Sequence, residues 1–236
     1  MTDSFRPTVL RNKGWAALQG KWDNAILASL MLNAVIVAGI IAACGMALVF
    51  GLISKIFGLL VYFIGTFAVS FAVALFAVGL IFIFWDVLKE GRVEFNTIFE
   101  PFKDWKRYLG GILQVYVYVL LWSLLLYIPG IIKAISYSQT FFIMRENPGM
   151  SGERAIQQSM KMMHGHKMDL FLLNLSFIGW ILLGMVTFGI AYLWIYPYSY
   201  TTQAAFYEEV KKDYEARQAF GTAVRDCFDG RSQGLF

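Results

Sequence analysis

In this chain of 236 residues, 58% are hydrophobic and only 15% charged, whereas a soluble domain carries roughly 25% charged residues. The charges are clumped and leave long stretches with none, as suits a chain surrounded in part by hydrocarbon, where an ionised side chain is costly. A formal net charge of +4 does not point to nucleic acid. The basic residues flank apolar segments, and no zinc spacing or recognition-helix pattern accompanies them; anionic lipid headgroups are the more natural counterpart.

A spanning helix needs about 20 mostly apolar residues. The first 24 residues are polar, and the apolar run that follows is too long for the core of a cleavable signal. The uncharged run from Ala25 to Ile53 predicts a first span, and Ile56 to Trp85 predicts a second. A polar stretch follows, Asp86 to Tyr108. A third span is expected over Leu109 to Ile128, closed by Pro129-Gly130 as a turn. The fourth, Ile131 to Met144, is short and unusually polar, and Arg145 to Gly149 stops it. Ser151 to Lys167 reads as an amphipathic helix with Ser151 as N-cap and Glu153 in its first turn. Two placements stay open for it: in the plane of the membrane interface, or packed on the ends of the bundle. A fifth span over Leu170 to Thr187 turns at Phe188-Gly189. A sixth runs from Ile190 to Tyr207, and a charged tail occupies 208–236.

Charge tests this order. Eighteen of the twenty Lys and Arg residues fall before span one, between spans two and three, between four and five, or after span six. Only Lys55 and Lys133 fall in the alternate loops. Positive residues collect on the cytoplasmic side, so the expectation is an all-α bundle of six transmembrane helices in three hairpins, with both termini cytoplasmic. A weak threefold repeat runs through it. Polar, aromatic-bearing segments (15–22, 95–108 and 153–167) precede each hairpin, and Tyr137 and Tyr196 each stand seven residues past an outer-turn glycine.

Several motifs resemble one family. They are Leu121-Trp-Ser-Leu-Leu-Leu-Tyr-Ile-Pro-Gly-Ile-Ile-Lys133, Tyr137-Ser138, Glu146-Asn147-Pro148, Ala155-Ile-Gln-Gln-Ser159, Met162-Met-His-Gly-His-Lys167, Leu175-Ser-Phe-Ile-Gly-Trp180, Gly189-Ile190, Pro197-Tyr198 and Phe206-Tyr207. In this order the chain resembles the bacterial integral membrane proteins of domain-of-unknown-function family 975. The opening Trp15-Ala-Ala-Leu-Gln-Gly-Lys-Trp22 resembles that family's start. The resemblance reaches about Val210 and is weakest in spans one and two. It implies a six-span bacterial inner-membrane protein and brings no activity, ligand or catalytic residue.

Ionisable residues inside a membrane are candidate functional groups. All sixteen acidic residues lie outside the span interiors, with Asp86, Asp169 and Glu208 at their edges, which argues against a proton-driven transporter. Lys133 is the exception. Lys133, Tyr137 and Thr140 recur at helical spacing on one face. Lys133 and Arg145 are only about 18 Å apart along a helix, against a hydrocarbon core of about 30 Å. Either Lys133 sits in a polar pocket with Tyr137, Thr140, Tyr192 and Tyr196, or it snorkels to the interface and the tyrosines pack and form an aromatic belt. Pro197 is expected to kink span six. His164 and His166, two apart, would point in different directions on a helix. Cys44 and Cys227 would sit at different depths, which argues against a disulfide. There is no phosphate-binding glycine loop, nucleophile elbow or zinc-protease helix. The expectation is therefore a non-enzymatic chain with no cofactor and no metal. It would contact membrane lipids and other membrane proteins or further copies of itself, and bind no nucleic acid. The alternative is a transporter or lipid-handling protein that uses the polar pocket.

Overall fold

The computed structural model describes residues 3–52, 54–187 and 189–233. Among these the chain is all helical, with no strand. The order is α1 (Pro7–Leu18), α2 (Trp22–Gly51), α3 (Lys55–Glu90), a 3-10 turn (Phe95–Phe99), α4 (Glu100–Lys103), α5 (Trp105–Leu125), α6 (Tyr127–Tyr137), α7 (Thr140–Glu146), α8 (Gly152–Met162), α9 (Lys167–Leu175), α10 (Ile178–Val186) and α11 (Tyr192–Gln233).

Four helical stretches are long and apolar enough to cross a membrane: Trp22–Gly51, Lys55–Glu90, Trp105–Leu125 and Lys167–Val186. They contain the second expected span and cover most of the first, third and fifth, each of which was expected to run one to three residues further. The expected fourth span is helical but broken, α6 ending at Tyr137 and α7 starting at Thr140. The expected sixth is the beginning of α11, which runs on for 42 residues. The segment from Glu208 to Gln233 is therefore a continuation of that helix, where a separate tail was expected. The expected end of span one at Ile53 and the turn residue Phe188 lie outside the described residues.

Long apolar helices pair here through small residues. A Cβ on Gly39 of α2 would lie 2.7 Å from Val69 of α3, and one on Gly65 would lie 3.3 Å from Ala43. This is the close approach that drives helix pairing where lipid removes the hydrophobic incentive. α5 and α6 are likewise antiparallel neighbours, with Tyr118 beside Tyr137 and Lys133 beside Trp122. The reversal between them is at Leu126, in extended conformation, and not at Pro129-Gly130 as expected. Pro129 occupies the first turn of α6, where its missing N–H costs no helical bond. Gly130 packs face to face with Ser123, so a side chain there would push α5 and α6 apart. Its counterpart in the proposed repeat, Gly189, has φ +91° and makes a left-handed turn. The two glycines thus do different work, and the repeat does not extend to backbone geometry.

Large aliphatic and aromatic residues stand exposed along these helices: Ile41 and Leu48 on α2, Phe63 and Phe67 on α3, Leu124 and Leu125 on α5, Leu182 and Met185 on α10. Apolar exposure on this scale is a liability in water and costs nothing against lipid tails. The tightly buried core lies elsewhere, at one end. It comprises the second half of α3 (Leu80, Phe82, Ile83, Phe84, Trp85), α7 (Phe142, Ile143, Met144) and the middle of α11 (Ala204 to Tyr207, Val210), with Leu10 and Leu18 of α1.

α8 packs on the bundle by the face that Ala155, Ile156, Ser159 and Met162 bury, the docked placement of the two left open. Ser151 caps it, accepting from the backbone N–H of Arg154 at 3.5 Å, and Glu153 lies in its first turn. Its Ser159 hydroxyl donates to the Ser136 carbonyl at 2.7 Å and accepts from the Gln139 N–H at 3.3 Å. The break between α6 and α7 frees backbone groups that water cannot reach, and a serine from a third helix satisfies them.

A candidate binding site at the charged end

Three aromatic rings fasten α3, α7 and α11 together. Phe142 and Tyr207 stack at 4.7 Å between centroids, and Trp85 meets both edge-on at 5.3 and 5.4 Å. Each polar ring tip finds an acceptor, as buried Trp and Tyr require. The Trp85 indole N–H donates to Glu208 at 2.7 Å, and the Tyr207 hydroxyl donates to Glu146 at 2.7 Å.

Above the rings lies a network of charges. Arg145, at the end of α7, forms a fork to Asp86, with contacts of 2.6 and 2.9 Å, and also donates to Glu100 at 3.0 Å. Its guanidinium rests 4.6 Å from the Phe82 ring centroid. Arginine suits this place because its planar donors engage two carboxylates and its face stacks on an aromatic ring. Arg145 and Asp86 are only 16% and 17% exposed, so each depends on the other. Glu146 accepts from Lys211 at 2.6 Å, and Lys89 lies 3.4 Å from Glu146 and 3.3 Å from Glu208. Lys13 of α1 pairs with Glu209 of α11 at 2.8 Å.

Burial works against the charged form of Glu146. The hydrogen bonds from Lys211 and Tyr207, and then the charges of Lys211 and Lys89, outweigh it and hold the carboxyl below its ordinary 4.5. Burial likewise disfavours charged Lys211, and the contact with Glu146 reverses the effect, raising it above 10.5. The chemistry of the network is cohesion: cations and carboxylates from the four basic segments meet at one end of the molecule.

Two more arginines cap helix C-termini, where carbonyls lack partners. Arg107 donates to the carbonyls of Met144, Asn147 and Pro148 at the end of α7. Arg217 donates to those of Met162 and His164 at the end of α8. His166 lies between Asp169 and Asp213, one ring nitrogen 3.1 Å and the other 3.0 Å from a carboxylate oxygen, and stacks on Phe5 at 4.2 Å.

Between α8 and the distal half of α11 runs a groove of about 660 Å³, whose lining includes Lys161, His164, Arg217 and Arg225. Gln157, Gln218 and Thr222 are also part of the lining, which among the described residues contains no carboxylate.

The residues expected to form a polar pocket divide into two groups. Lys133 is half-buried, with its ammonium 4.8 Å over the Trp122 ring. Tyr137 is buried, and the Thr140 hydroxyl donates to its carbonyl at 2.6 Å. Tyr137 and Ser138 line a mostly apolar cleft of about 360 Å³ with residues of α3 and α5. Tyr192 bonds the Ile181 carbonyl at 3.2 Å and stacks on Tyr196 at 5.5 Å. Among the described residues no hydrogen bond, ion pair or ring contact joins the two groups, and Tyr192 and Tyr196 do not line the cleft beside Tyr137. Pro197 lies within α11, which continues through it. Cys44 is a free thiol on an exposed face of α2.

Residues 106–214 match a family described as a protein of unknown function, DUF975. Over that segment, a little under half of the chain, the protein is similar to the DUF975 family. No curated protein and no solved structure matches the chain. The matched segment is narrower than the sequence resemblance, which began at Trp15. The DUF975 segment supplies Arg107, Arg145, Glu146, Ser159, Tyr207 and Lys211. Their partners Trp85, Asp86, Lys89 and Glu100 precede it, so the network binds the DUF975 segment to the α3 end. In the sequence Arg145 stops the fourth span and sets its short length from Lys133, with no partner indicated. Its one signal was position: a cation ending the fourth span, and Asp86 ending an uncharged run.

Proposed function

We propose that this protein is a multi-pass component of a bacterial inner membrane that acts by binding, as an accessory, scaffold or regulatory subunit, and not by catalysis. Its charged end faces the cytoplasm with both termini, and α6–α7 and the start of α11 complete six crossings. The observation that carries this reading is the basic groove between α8 and α11, set on a platform held by ion pairs. It offers Lys161 and Arg225 to an acidic surface of a partner membrane protein, while Arg217 is held by Asp213 and by the carbonyls of Met162 and His164. Electrostatic complementarity of this kind sets partner choice. A photo-crosslinking amino acid at Gln218 tests it in intact membranes. A discrete adduct that disappears when Lys161 and Arg225 are changed to Glu supports the reading. A chain that forms no adduct, or an adduct indifferent to the charge reversal, contradicts it.

The second reading is lipid handling, favoured by the lateral cleft between α3 and α5 that Tyr137 and Ser138 line. It expects lipid transfer between leaflets of reconstituted vesicles and a lower rate in Tyr137→Ala, which alters the cleft lining. Equal rates with and without protein would sink it.

A further inference from the structure

Four of the seven tryptophans converge. Trp15 of α1, Trp22 of α2, Trp180 of α10 and Trp194 of α11 line one hollow of about 310 Å³, together with Ile195 and Tyr198. The rings do not lie flat on one another. Trp15 and Trp22 are 5.0 Å apart at 58°, Trp15 and Tyr198 are 5.6 Å apart at 84°, and Trp180 and Tyr198 are 6.0 Å apart at 78°. Parallel rings consume one another's faces. Rings at steep angles leave one face of each pair uncovered, and Trp194 makes no ring contact among the described residues. Trp15 and Trp194 are 45% and 47% exposed, so two walls remain open to whatever enters.

The walls of such a box are π faces, which attract cations. A cation already rests against its back. The Arg11 guanidinium lies 5.8 Å from the Tyr198 ring and 5.6 Å from Phe177, and its Nε donates to the Tyr198 hydroxyl at 3.0 Å. Arg11 is not part of the lining, so the hollow itself is free of charge. The lining also contains no carboxylate. A primary ammonium would bring three N–H donors and find a single hydroxyl that already accepts from Arg11. A quaternary ammonium has no N–H to satisfy and is the cation that aromatic cages hold best.

We propose that this aromatic box binds a quaternary ammonium group. Two sources carry that chemistry: the headgroup of a choline lipid and a soluble betaine or choline. The position favours the lipid. Trp22 opens the first candidate span and Trp180 lies within the fourth, so the hollow lies among the apolar helices and opens beside lipid. The proposal does not depend on the groove between α8 and α11.

The test uses the full chain in phosphatidylglycerol nanodiscs, with tetramethylammonium as probe and tryptophan fluorescence as readout. Potassium at equal ionic strength is the control. A saturable response specific to tetramethylammonium is expected. Trp15→Leu and Trp194→Leu should each weaken it by roughly fivefold to thirtyfold, the worth of one desolvated cation–π face, and Trp194→Phe by less. Unchanged far-ultraviolet circular dichroism would exclude misfolding of these exposed positions. Repeating the titration in phosphatidylcholine nanodiscs identifies the source. A suppressed response means that the lipid headgroup fills the box, and an equal response means a soluble ligand. If tetramethylammonium gives no more than potassium in phosphatidylglycerol, or the Leu variants respond like the parent, the tryptophans are an interfacial belt and the proposal fails.

Discussion

Arg145 shows how much one residue carries at this end of the molecule. Removing it leaves Asp86, which would keep only the Thr97 hydroxyl at 3.3 Å, without a cation in a mostly buried place, which costs about 3–5 kcal/mol for a buried pair broken on one side. Lys89 is 41% exposed, and solvent-exposed pairs contribute about 0–1 kcal/mol. Arg145→Ala should therefore lower the thermal unfolding midpoint in mild detergent far more than Lys89→Ala does. Equal shifts would show that the fork is not a fastening point. The Glu146–Lys211 pair gives a pH dependence with a definite sign. Glu146 has a folded-state value below 4.5, so its stabilisation is full above 4.5 and is lost as pH falls through the lowered value. Lys211 has a folded-state value above 10.5, so its share is full below 10.5 and is lost as pH rises through the raised value. Stability from this pair should be level between these limits, and Glu146→Gln should flatten the acid side of a melting-temperature profile. An acid limb unchanged in the variant would assign acid sensitivity to other groups.

At the scale of elements, the Ser159 hydroxyl is the hinge of the α6–α7–α8 arrangement. Deleting it leaves the Gln139 N–H and the Ser136 carbonyl unpaired in a buried site, at about 1–3 kcal/mol for an unsatisfied group. Ser159→Ala should destabilise the detergent-solubilised protein by that amount and speed proteolysis in the 147–151 loop. Ser70→Ala, exposed on α3 and outside the hinge, should do neither. Small residues matter at the same scale. Gly79 of α3 sits against the backbone of Ile98, which seats the 3-10 turn on α3 and carries Glu100 toward Arg145. Elements were legible in sequence where one force dominates. Long uncharged runs became α2, α3 and α5, and Ser151 capped α8. The break at Ser138-Gln139 was not legible, because nothing local forbids a helix there; the stop depends on Ser159, twenty residues on. Nor was the reach of α11, since polar residues after Tyr207 read as a tail until Tyr214 and Arg217 are seen packed beside α8.

For the whole molecule, charge alternation was the strongest signal in the sequence, and the folded chain brings those segments together. Lys13 meets Glu209, Arg145 meets Asp86 and Glu100, and Lys211 meets Glu146. Pairing of individual charges was not legible, because every partner is distant in sequence and set by crossing helices. The convergence of Trp15, Trp22, Trp180 and Trp194 escaped for the same reason. The apolar flanks of α2, α3 and α5 suit a hydrocarbon surround, and the proposed topology sets the shared charged end on one side of it. Side-restricted labelling of single cysteines tests both at once. In a background with Cys44 and Cys227 replaced, cysteines at positions 13, 103, 161 and 212 should react with a membrane-impermeant reagent from one side only. A cysteine at position 55 should react only from the other. Reaction of position 55 and position 212 from the same side would contradict a membrane-spanning bundle with a single charged end.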